Sequence, residues 1–551
     1  MPTGAELFVR TIAQLGIRHI FTLVGDHLNE VLAVAAREQM HIIDMRHESG
    51  VTHAADGWAR LHRRPAISLV TGGPGHTNSL TGVATANLAG SPLIAVSGSR
   101  ASTLGDRGGF QGIDQISISR PVVKWAAQPP GPGLIPFYLR RAYAEANSGR
   151  KGAVHLTIPV DFFVGQAEEQ DAVAPTSPSP PAPNATVIDK ALAMLRSAER
   201  PIVVAGSGIW WAGAEVDLLK FIEKTSLPLY TITMARGIVP DTHALCMGYA
   251  DPALNRAALQ AYREADLILV VGKRLDYRLG LGGERVFPAG ARLIQVDIQA
   301  SELGMNRRLD VGICADARAT LRALTEGWSG DADWSGWIRH LRELREQWEQ
   351  AIAHAADDES LPLHPAAFYR ALKRALPSGV LYSWDGGDFA HWGRVSLPAL
   401  LPAAWLRLGP LGTIGASLPH GIALQLANPG RPVAVITGDG ALGFYLAEME
   451  TAVRHKLPMV IIVGNDAGWG LERELQNAAN LRQTVGTELT FSRYDRIMRA
   501  FGGGGENIES LDQVGPAVAR AFASGVPYCL NVKIRGARSP FTDWQIAGKK
   551  R

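Results

Sequence analysis

The chain has 551 residues, 46% hydrophobic and 19% charged, with a formal net charge of +3. That length exceeds one cooperative core and predicts about three domains, and the small net charge gives no electrostatic footprint for nucleic acid. Cys246, Cys314 and Cys529 are scattered without CxxC or CxxH spacing, which speaks against a zinc motif and for reduced thiols in a cytoplasmic protein. The start Met-Pro-Thr-Gly-Ala-Glu lacks the basic and apolar regions of a signal peptide, and no run approaches eighteen uninterrupted apolar residues, so no membrane span is expected.

The first module, residues 1–165, alternates apolar strands (His19 to Val24, Ala66 to Thr71, Leu93 to Ser97, Ala153 to Ile158) with helical segments. That alternation predicts a parallel sheet covered by helices. Gly25-Asp-His-Leu-Asn29 follows the first long strand, at a turn expected to face a cleft. Imidazole titrates near neutrality, so His27 is a candidate proton carrier; the alternative is a capping turn with a solvent histidine. Asp26 is an acid beside it. Glu48 opens the segment Arg46 to Arg60, flanked by Val51 and Ala54. Read alone, it is a first-turn glutamate favoured by the helix dipole.

Residues 166–185 are proline-rich, favour extended PPII and predict a linker. The second module, 186–330, repeats the alternation with strands at Pro201 to Ala205, Leu227 to Thr231, Leu267 to Val271 and Leu293 to Val296. Gly206-Ser-Gly208 is only a fragment of a dinucleotide fingerprint, which speaks against a nicotinamide dehydrogenase. Residues 331–361 connect the modules, and Trp334 to Ala355 predicts a charged, solvated inter-domain helix.

The third module, 362–535, contains Val435-Ile-Thr-Gly-Asp-Gly-Ala-Leu-Gly-Phe and Val463-Gly-Asn-Asp-Ala-Gly-Trp469. A strand enters a Gly-Asp-Gly turn, a helix from Tyr445 to His455 follows, and the strand Met459 to Val463 also ends in an acid and a glycine. Asp439 and Asp466 therefore stand at the C-terminal ends of parallel strands, where open α/β sheets bind ligands. Carboxylate oxygens suit Mg²⁺, which completes its shell with phosphate and water. Gly438, Gly440 and Gly468 let a diphosphate approach the backbone. Taken alone, two turn aspartates capping helices are the alternative. The tail 536–551, preceded by Arg535, is basic (Arg538, Lys549, Lys550, Arg551) with Phe541 and Trp544 interleaved. It is expected to be partly disordered in the free protein, the competing idea being closure over the phosphates of a CoA.

The acid-bearing segment resembles the diphosphate-binding signature of thiamine-diphosphate enzymes. Arg46 to Arg60 resembles the segment with that family's activating glutamate, and Ser68-Leu-Val-Thr-Gly-Gly-Pro-Gly-His-Thr-Asn78 the turn lining its cofactor cleft. The order and spacing match across nearly the whole chain. The resemblance implies an α/β fold of three doubly wound parallel-sheet domains (pyrimidine-binding, middle and diphosphate-binding), with thiamine diphosphate and Mg²⁺ bound between subunits of a homodimer or homotetramer. It implies Glu48 as the carboxyl that protonates the aminopyrimidine, a task suited to an acid whose pKa burial raises. It implies Asp439, Asp466 and the carbonyl of Gly468 as metal ligands, although the family more often has asparagine where Asp466 stands. Cofactor contacts are implied for Gly73, Asp388, Gly438, Gly440 and Ala441, and Ile414 is implied as the wedge that bends the cofactor. His27 and Gln111, in Gly109-Phe-Gln-Gly-Ile-Asp-Gln115, resemble the substrate-side pair of benzaldehyde lyase. His76 and His391 lie near these motifs without an assigned role.

The runs Gly409 to Gly415 and Gly464 to Trp469 are similar to 2-hydroxyacyl-CoA lyases of the acetolactate-synthase-like type. The resemblance thus implies a lyase or carboligase acting on an acyl-CoA, 2-oxo acid or aldehyde. An acetolactate-synthase-like carboligase and a benzaldehyde-lyase-like carboligase are the alternatives. Gly272-Lys-Arg-Leu-Asp-Tyr-Arg278 resembles the flavin-contacting segment of the synthases, and Asp297 is placed to hold a ribose, so FAD or ADP is a candidate occupant of the middle domain. Intact Glu48, Asp439 and His27 argue against a catalytically retired relative.

Overall fold

The segments Ala66–Val70, Leu93–Ser99 and Val460–Asn465 are buried along their whole length. A strand without a solvated face needs helices on both sides, which is the setting of a parallel sheet. The computed structural model describes all residues except 106, 170–178, 331, 480 and 550–551. Most of the proline-rich stretch, and Lys550 and Arg551 of the tail, lie outside the described residues.

The described residues form three six-stranded sheets, parallel throughout. In spatial order the first runs His41–Asp44, His19–Thr22, Ala66–Val70, Leu93–Ser99, Ala153–Pro159 and Ala126–Ala127. The second runs Val311–Cys314, Arg292–Asp297, Leu267–Val271, Pro201–Ala205, Leu229–Thr231 and Cys246–Tyr249. The third runs Trp405–Arg407, Leu381–Trp384, Val433–Gly438, Val460–Asn465, Tyr528–Lys533 and Gly504–Ile508. Each order reverses inside the sheet, between His19–Thr22 and Ala66–Val70, between Leu267–Val271 and Pro201–Ala205, and between Leu381–Trp384 and Val433–Gly438, and the first and third also turn back at their far edge. Connections leave to opposite faces at such a reversal and open a crevice beyond the strand ends. Three crevices therefore follow from the topology.

The helix Glu48–His62 joins the first domain to the third. It packs on Pro74–Ala89, where a Cβ at Gly82 would overlap Thr52, and on Ser417–Ala427, where a Cβ at Gly57 would come 3.1 Å from both Ala423 and His420. Buried at this crossing, Asp56 pairs with Arg60 and accepts from His420 Nε2 at 3.2 Å. The expected solvated helix is Ser335–Ala355. Its first turns are not solvated, because Trp337, Ile338 and Leu341 are buried and Trp337 Nε1 donates to the carbonyl of Pro201 at 3.0 Å. The helix expected from Tyr445 to His455 is Glu448–Arg454, and the expected Gly-Asp-Gly turn opens a short helix Asp439–Leu442 followed by a 3₁₀ turn Gly443–Tyr445. Among the described residues no helix is long and apolar enough to cross a membrane.

Candidate active site

At the third-sheet reversal the helices Gly387–Ser396, Asp439–Leu442 and Gly470–Ala478 all begin. Their first residues (Gly387 and Asp388, Asp439 to Ala441, Gly470 and Leu471) line one cavity of about 180 Å³. The N–H groups of a helix's first turn lack intrahelical acceptors and favour anions. Backbone access is open: a Cβ at Gly387 would meet nothing within 4 Å, and one at Gly438 would meet its nearest atom at 3.9 Å. Ile414 also lines the cavity, and a Cβ at Gly386 would come 3.2 Å from its Cγ2.

Of the acids that line this space, Asp439 and Asp466 lie close enough to interact. Burial, together with the charge of Asp466, pushes Asp439 up to about 7, and burial raises Asp466 as well. Paired acids in one cavity repel unless a cation or proton stands between them, and all-oxygen donors suit a hard divalent ion. Gly468 donates its N–H to Asp439 Oδ2 at 3.0 Å. Asp466 Oδ2 accepts from Arg473 Nη2 at 2.5 Å. Acids for a cation beside helix starts for an anion fit a metal-bound diphosphate.

The first-sheet reversal holds a second cluster. His27 Nδ1 accepts from the backbone N–H of Gly72 at 3.1 Å and lies 3.1 Å from Thr71 Oγ1. A backbone N–H can only donate, so the neutral imidazole carries its proton on Nε2. Burial lowers the His27 pKa, against the opposing charge of Asp26. Gln111 adopts φ +58°, and its Oε1 is 3.5 Å from Thr71 Oγ1. A Cβ on Gly73 would come 2.7 Å from the Gln111 Cβ, so the two predicted residues are in contact. Glu48 Oε2 accepts from Asn78 Nδ2 at 3.1 Å, and a Cβ on Gly75 would lie 3.4 Å from Glu48 Oε1. Glu48 is half-buried within its own chain.

The middle-sheet reversal holds a second cavity, of about 190 Å³, lined by Gly208, Gly272, Asp297, Arg150, Lys151 and Arg274 among others. The two turns touch: a Cβ on Gly208 would come 2.5 Å from Gly272 Cα. Burial raises the Asp297 pKa.

Residues 2–118 match the family model "Thiamine pyrophosphate enzyme, N-terminal TPP binding domain", 188–324 the central domain and 385–532 the C-terminal TPP binding domain. A "Probable acetolactate synthase" of Mycobacterium bovis (strain ATCC BAA-935 / AF2122/97) is 34% identical over 96% of this chain and 95% of its own length. The chain belongs to the thiamine pyrophosphate enzyme family. "2-hydroxyacyl-CoA lyase 1" of Mus musculus is 31% identical, covering 97% of this chain and 94% of its own. "2-hydroxyacyl-CoA lyase 2" of Homo sapiens is 29% identical, covering 99% and 92%. The first and third domains of this chain are accordingly the TPP-binding domains of an enzyme of this family.

The predicted residues fall into the first- and third-domain crevices. Asp439, Asp466, Gly468, Gly438, Gly440, Ala441, Ile414 and Asp388 line one cavity, while His27, Gln111, Gly73 and Glu48 cluster on the first domain. Asp388 has two faces: its Oδ1 accepts from Ser539 N–H at 2.9 Å and Thr542 Oγ1 at 2.6 Å, while Oδ2 is buried without a partner. Four residues were not foreseen. Gln115 accepts from Gly73 N–H at 3.1 Å and donates to Gly98 O at 3.1 Å, holding the glycine turn; its place in the Gln111 loop was its one signal. Asp385, at a strand end like Asp439, accepts from the N–H of Gly386 at 2.8 Å and of Gly415 at 3.0 Å, so it braces the residues on either side of Ile414. Glu448 accepts from the backbone N–H of His47 at 3.1 Å, and Arg473 holds Asp466; neither had a motif to mark it.

His76 is structural, placed between Ser97 and Ser119 hydroxyls at 3.0 and 3.2 Å, and burial pushes it down to about 4. The expectation of a partly disordered tail is corrected for Pro540–Lys549, which is a helix. Its aromatics supply the anchorage: Arg285 stacks 3.6 Å over the Trp544 ring, and Phe541 lies 4.2 Å from the His391 ring. Arg535 pairs with Asp358, and Arg538 lies 3.7 Å from Glu474.

Proposed function

We propose that this enzyme breaks and makes carbon–carbon bonds beside a carbonyl as a 2-hydroxyacyl-CoA lyase, releasing formyl-CoA and an aldehyde or ketone in a reversible reaction. The observation that carries this reading is His27, neutral and protonated on Nε2, with Gln111 beside it at the first-domain crevice. An imidazole that burial keeps neutral and that carries its proton on Nε2 can donate a hydrogen bond to a substrate oxygen, and Gln111 supplies an amide to orient that oxygen.

Bound thiamine diphosphate supplies a nucleophilic carbon that takes up the carbonyl fragment. Asp439, Asp466 and the Gly468 carbonyl would hold Mg²⁺, and the three helix N-termini would hold the diphosphate. Ile414 would fix the cofactor's bend, and Glu48 would keep a proton at its pyrimidine ring. The cavity at Asp439 is lined wholly by residues from 365 to 537, which supports a site completed by the first domain of a second copy, in a homodimer or homotetramer.

An acetolactate-synthase-like reaction, joining a decarboxylated 2-oxo acid to a second carbonyl, is the other reading. The middle-domain cavity favours it, since Arg150, Lys151, Arg274 and Asp297 would suit the phosphates and ribose of FAD; an ADP moiety would fit the same groups. The test is purified protein with thiamine diphosphate and Mg²⁺, offered a 2-hydroxyacyl-CoA, pyruvate and benzoin in parallel, with products identified by mass. Formyl-CoA from the first is expected; acetolactate from pyruvate, with a yellow flavin-bearing protein, would replace the lyase by the synthase.

A further inference from the structure

The cavity at Asp439 contains a conflict of charge. Helix starts and bare glycine backbone suit a diphosphate, yet Asp439 and Asp466 face the same space, with Asp388 and Glu472 also in its lining, and whatever attracts a cation there repels an anion. One carboxylate is answered from behind. Arg473 Nη2 stands 2.5 Å from Asp466 Oδ2, and its Nη1 stands 3.1 Å from Glu488 Oε2. Glu488 belongs to a segment paired to the acid-bearing loop: Gly468 bridges Glu488, Trp469 N–H donates to Thr487 O at 2.7 Å, and Leu489 N–H donates to Ala467 O at 2.7 Å. The guanidinium occupies a slot that glycine keeps open. A Cβ on Gly468 would come 3.0 Å from Arg473 Nη1, and one on Gly536 3.4 Å from Nη2. The Arg473 and Asp466 side chains are 19% and 11% exposed, so water screens the pair weakly.

We propose that Arg473, shared with the solvent-screened Glu488, is a positioning residue that offsets the charge of Asp466, so that the Asp439–Asp466 pair holds a divalent cation with less than the charge of two carboxylates and leaves the cavity able to accept a diphosphate. This rests on the reading of Asp439 and Asp466 as metal ligands. A fork-shaped guanidinium suits the role, because it neutralises the carboxylate from one side and fixes its plane, leaving the other oxygen for the metal.

The charge account predicts effects of opposite sign on the two ligands. In Arg473→Gln the site becomes more negative: affinity for Mn²⁺ alone, followed by the electron paramagnetic resonance of free Mn²⁺, rises by roughly tenfold, while thiamine diphosphate, titrated by calorimetry at saturating Mn²⁺, binds weaker by roughly tenfold, the scale of a close, poorly screened charge. Adding Asp466→Asn to that variant removes the surplus charge and returns thiamine diphosphate affinity toward wild type. Parallel losses of both ligands in Arg473→Gln, or no change in either, would overturn the proposal and leave the metal reading standing. Wild-type protein that takes up no Mn²⁺ beyond Asp439→Asn would instead remove the metal reading itself, and this inference with it. Circular dichroism of each variant separates these outcomes from unfolding.

Discussion

Tyr445 Oη lies 2.7 Å from Ser49 Oγ, with both groups buried. Ser49 follows Glu48, and Tyr445 ends the turn that begins at Asp439. One hydrogen bond therefore ties the helix bearing the first-domain carboxyl to the segment bearing the third-domain acid. Removing one hydroxyl leaves the other buried without a partner. Tyr445→Phe is expected to lower stability by about 1–3 kcal/mol, measured by urea unfolding, with Ser49→Ala/Tyr445→Phe less destabilised than the two single effects added together. Additive effects would mean that the two groups are not coupled.

Glu48→Gln tests the chemistry assigned to the first domain. Glutamine keeps the shape and can still accept from Asn78, but has no proton to share. The fold and thiamine diphosphate affinity should stay near wild type, by circular dichroism and calorimetry, while turnover falls by about 10²–10⁴-fold, the range of general acid–base contributions. A Gln variant with near-wild-type turnover rules out this role.

His27 is set apart from a solvent histidine by its acceptor Nδ1. His27→Ala should cost about 10²-fold in turnover while leaving cofactor affinity intact. Nitrogen-15 NMR of the wild-type imidazole should report the Nε2–H tautomer; an Nδ1–H signal would contradict the hydrogen bond from Gly72.

Glu448 links stability to pH. Burial pushes its carboxyl up to about 7 from an ordinary 4.5, against hydrogen bonds from Thr451 and the backbone of Arg46 and His47 that act the other way. A raised acid binds more protons folded than unfolded between those two values. Its contribution is thus complete below about 4.5 and lost as pH rises through about 7. Glu448→Gln removes the ionisation, so its stability relative to wild type should improve across that window, by at most about 3 kcal/mol. Urea unfolding of both proteins over the same pH series measures it; parallel curves would contradict the raised pKa.

The parts of the site that sequence reveals are those where local pattern and topology coincide. Gly438-Asp439-Gly440 and Asp466 follow apolar runs that can only be buried parallel strands, and an acid just past such a strand must stand at the crevice. His27 and Gly73 follow strands in the same way. Arg473, Glu448 and Gln115 act instead through contacts made by folding: Glu448 reaches His47 across 401 positions, and no periodicity records that. The tail misled for a related reason. Its basic residues suggest solvation, whereas its order comes from Arg285 and His391, which are distant in sequence. Asp385 directly follows the strand Leu381–Trp384 and so obeys the same strand-end rule as Asp439.

Thr542 shows what the ordered tail does for the cavity. Its hydroxyl, fully buried, donates to Asp388 Oδ1 at 2.6 Å, so the helix Pro540–Lys549 is latched to a residue lining the cavity. Burial raises the Asp388 pKa although these donors oppose it, so the carboxyl depends on them for its placement. Thr542→Val keeps the volume and removes the donor, leaving Asp388 to Ser539. Loosening of the helix by about 1–2 kcal/mol is expected, the net worth of one buried hydrogen bond. Hydrogen exchange should then quicken within 540–549 while the core strands Val433–Gly438 and Val460–Asn465 keep their protection. If exchange rises equally in those strands, the tail is part of the global fold and not a separately closing latch.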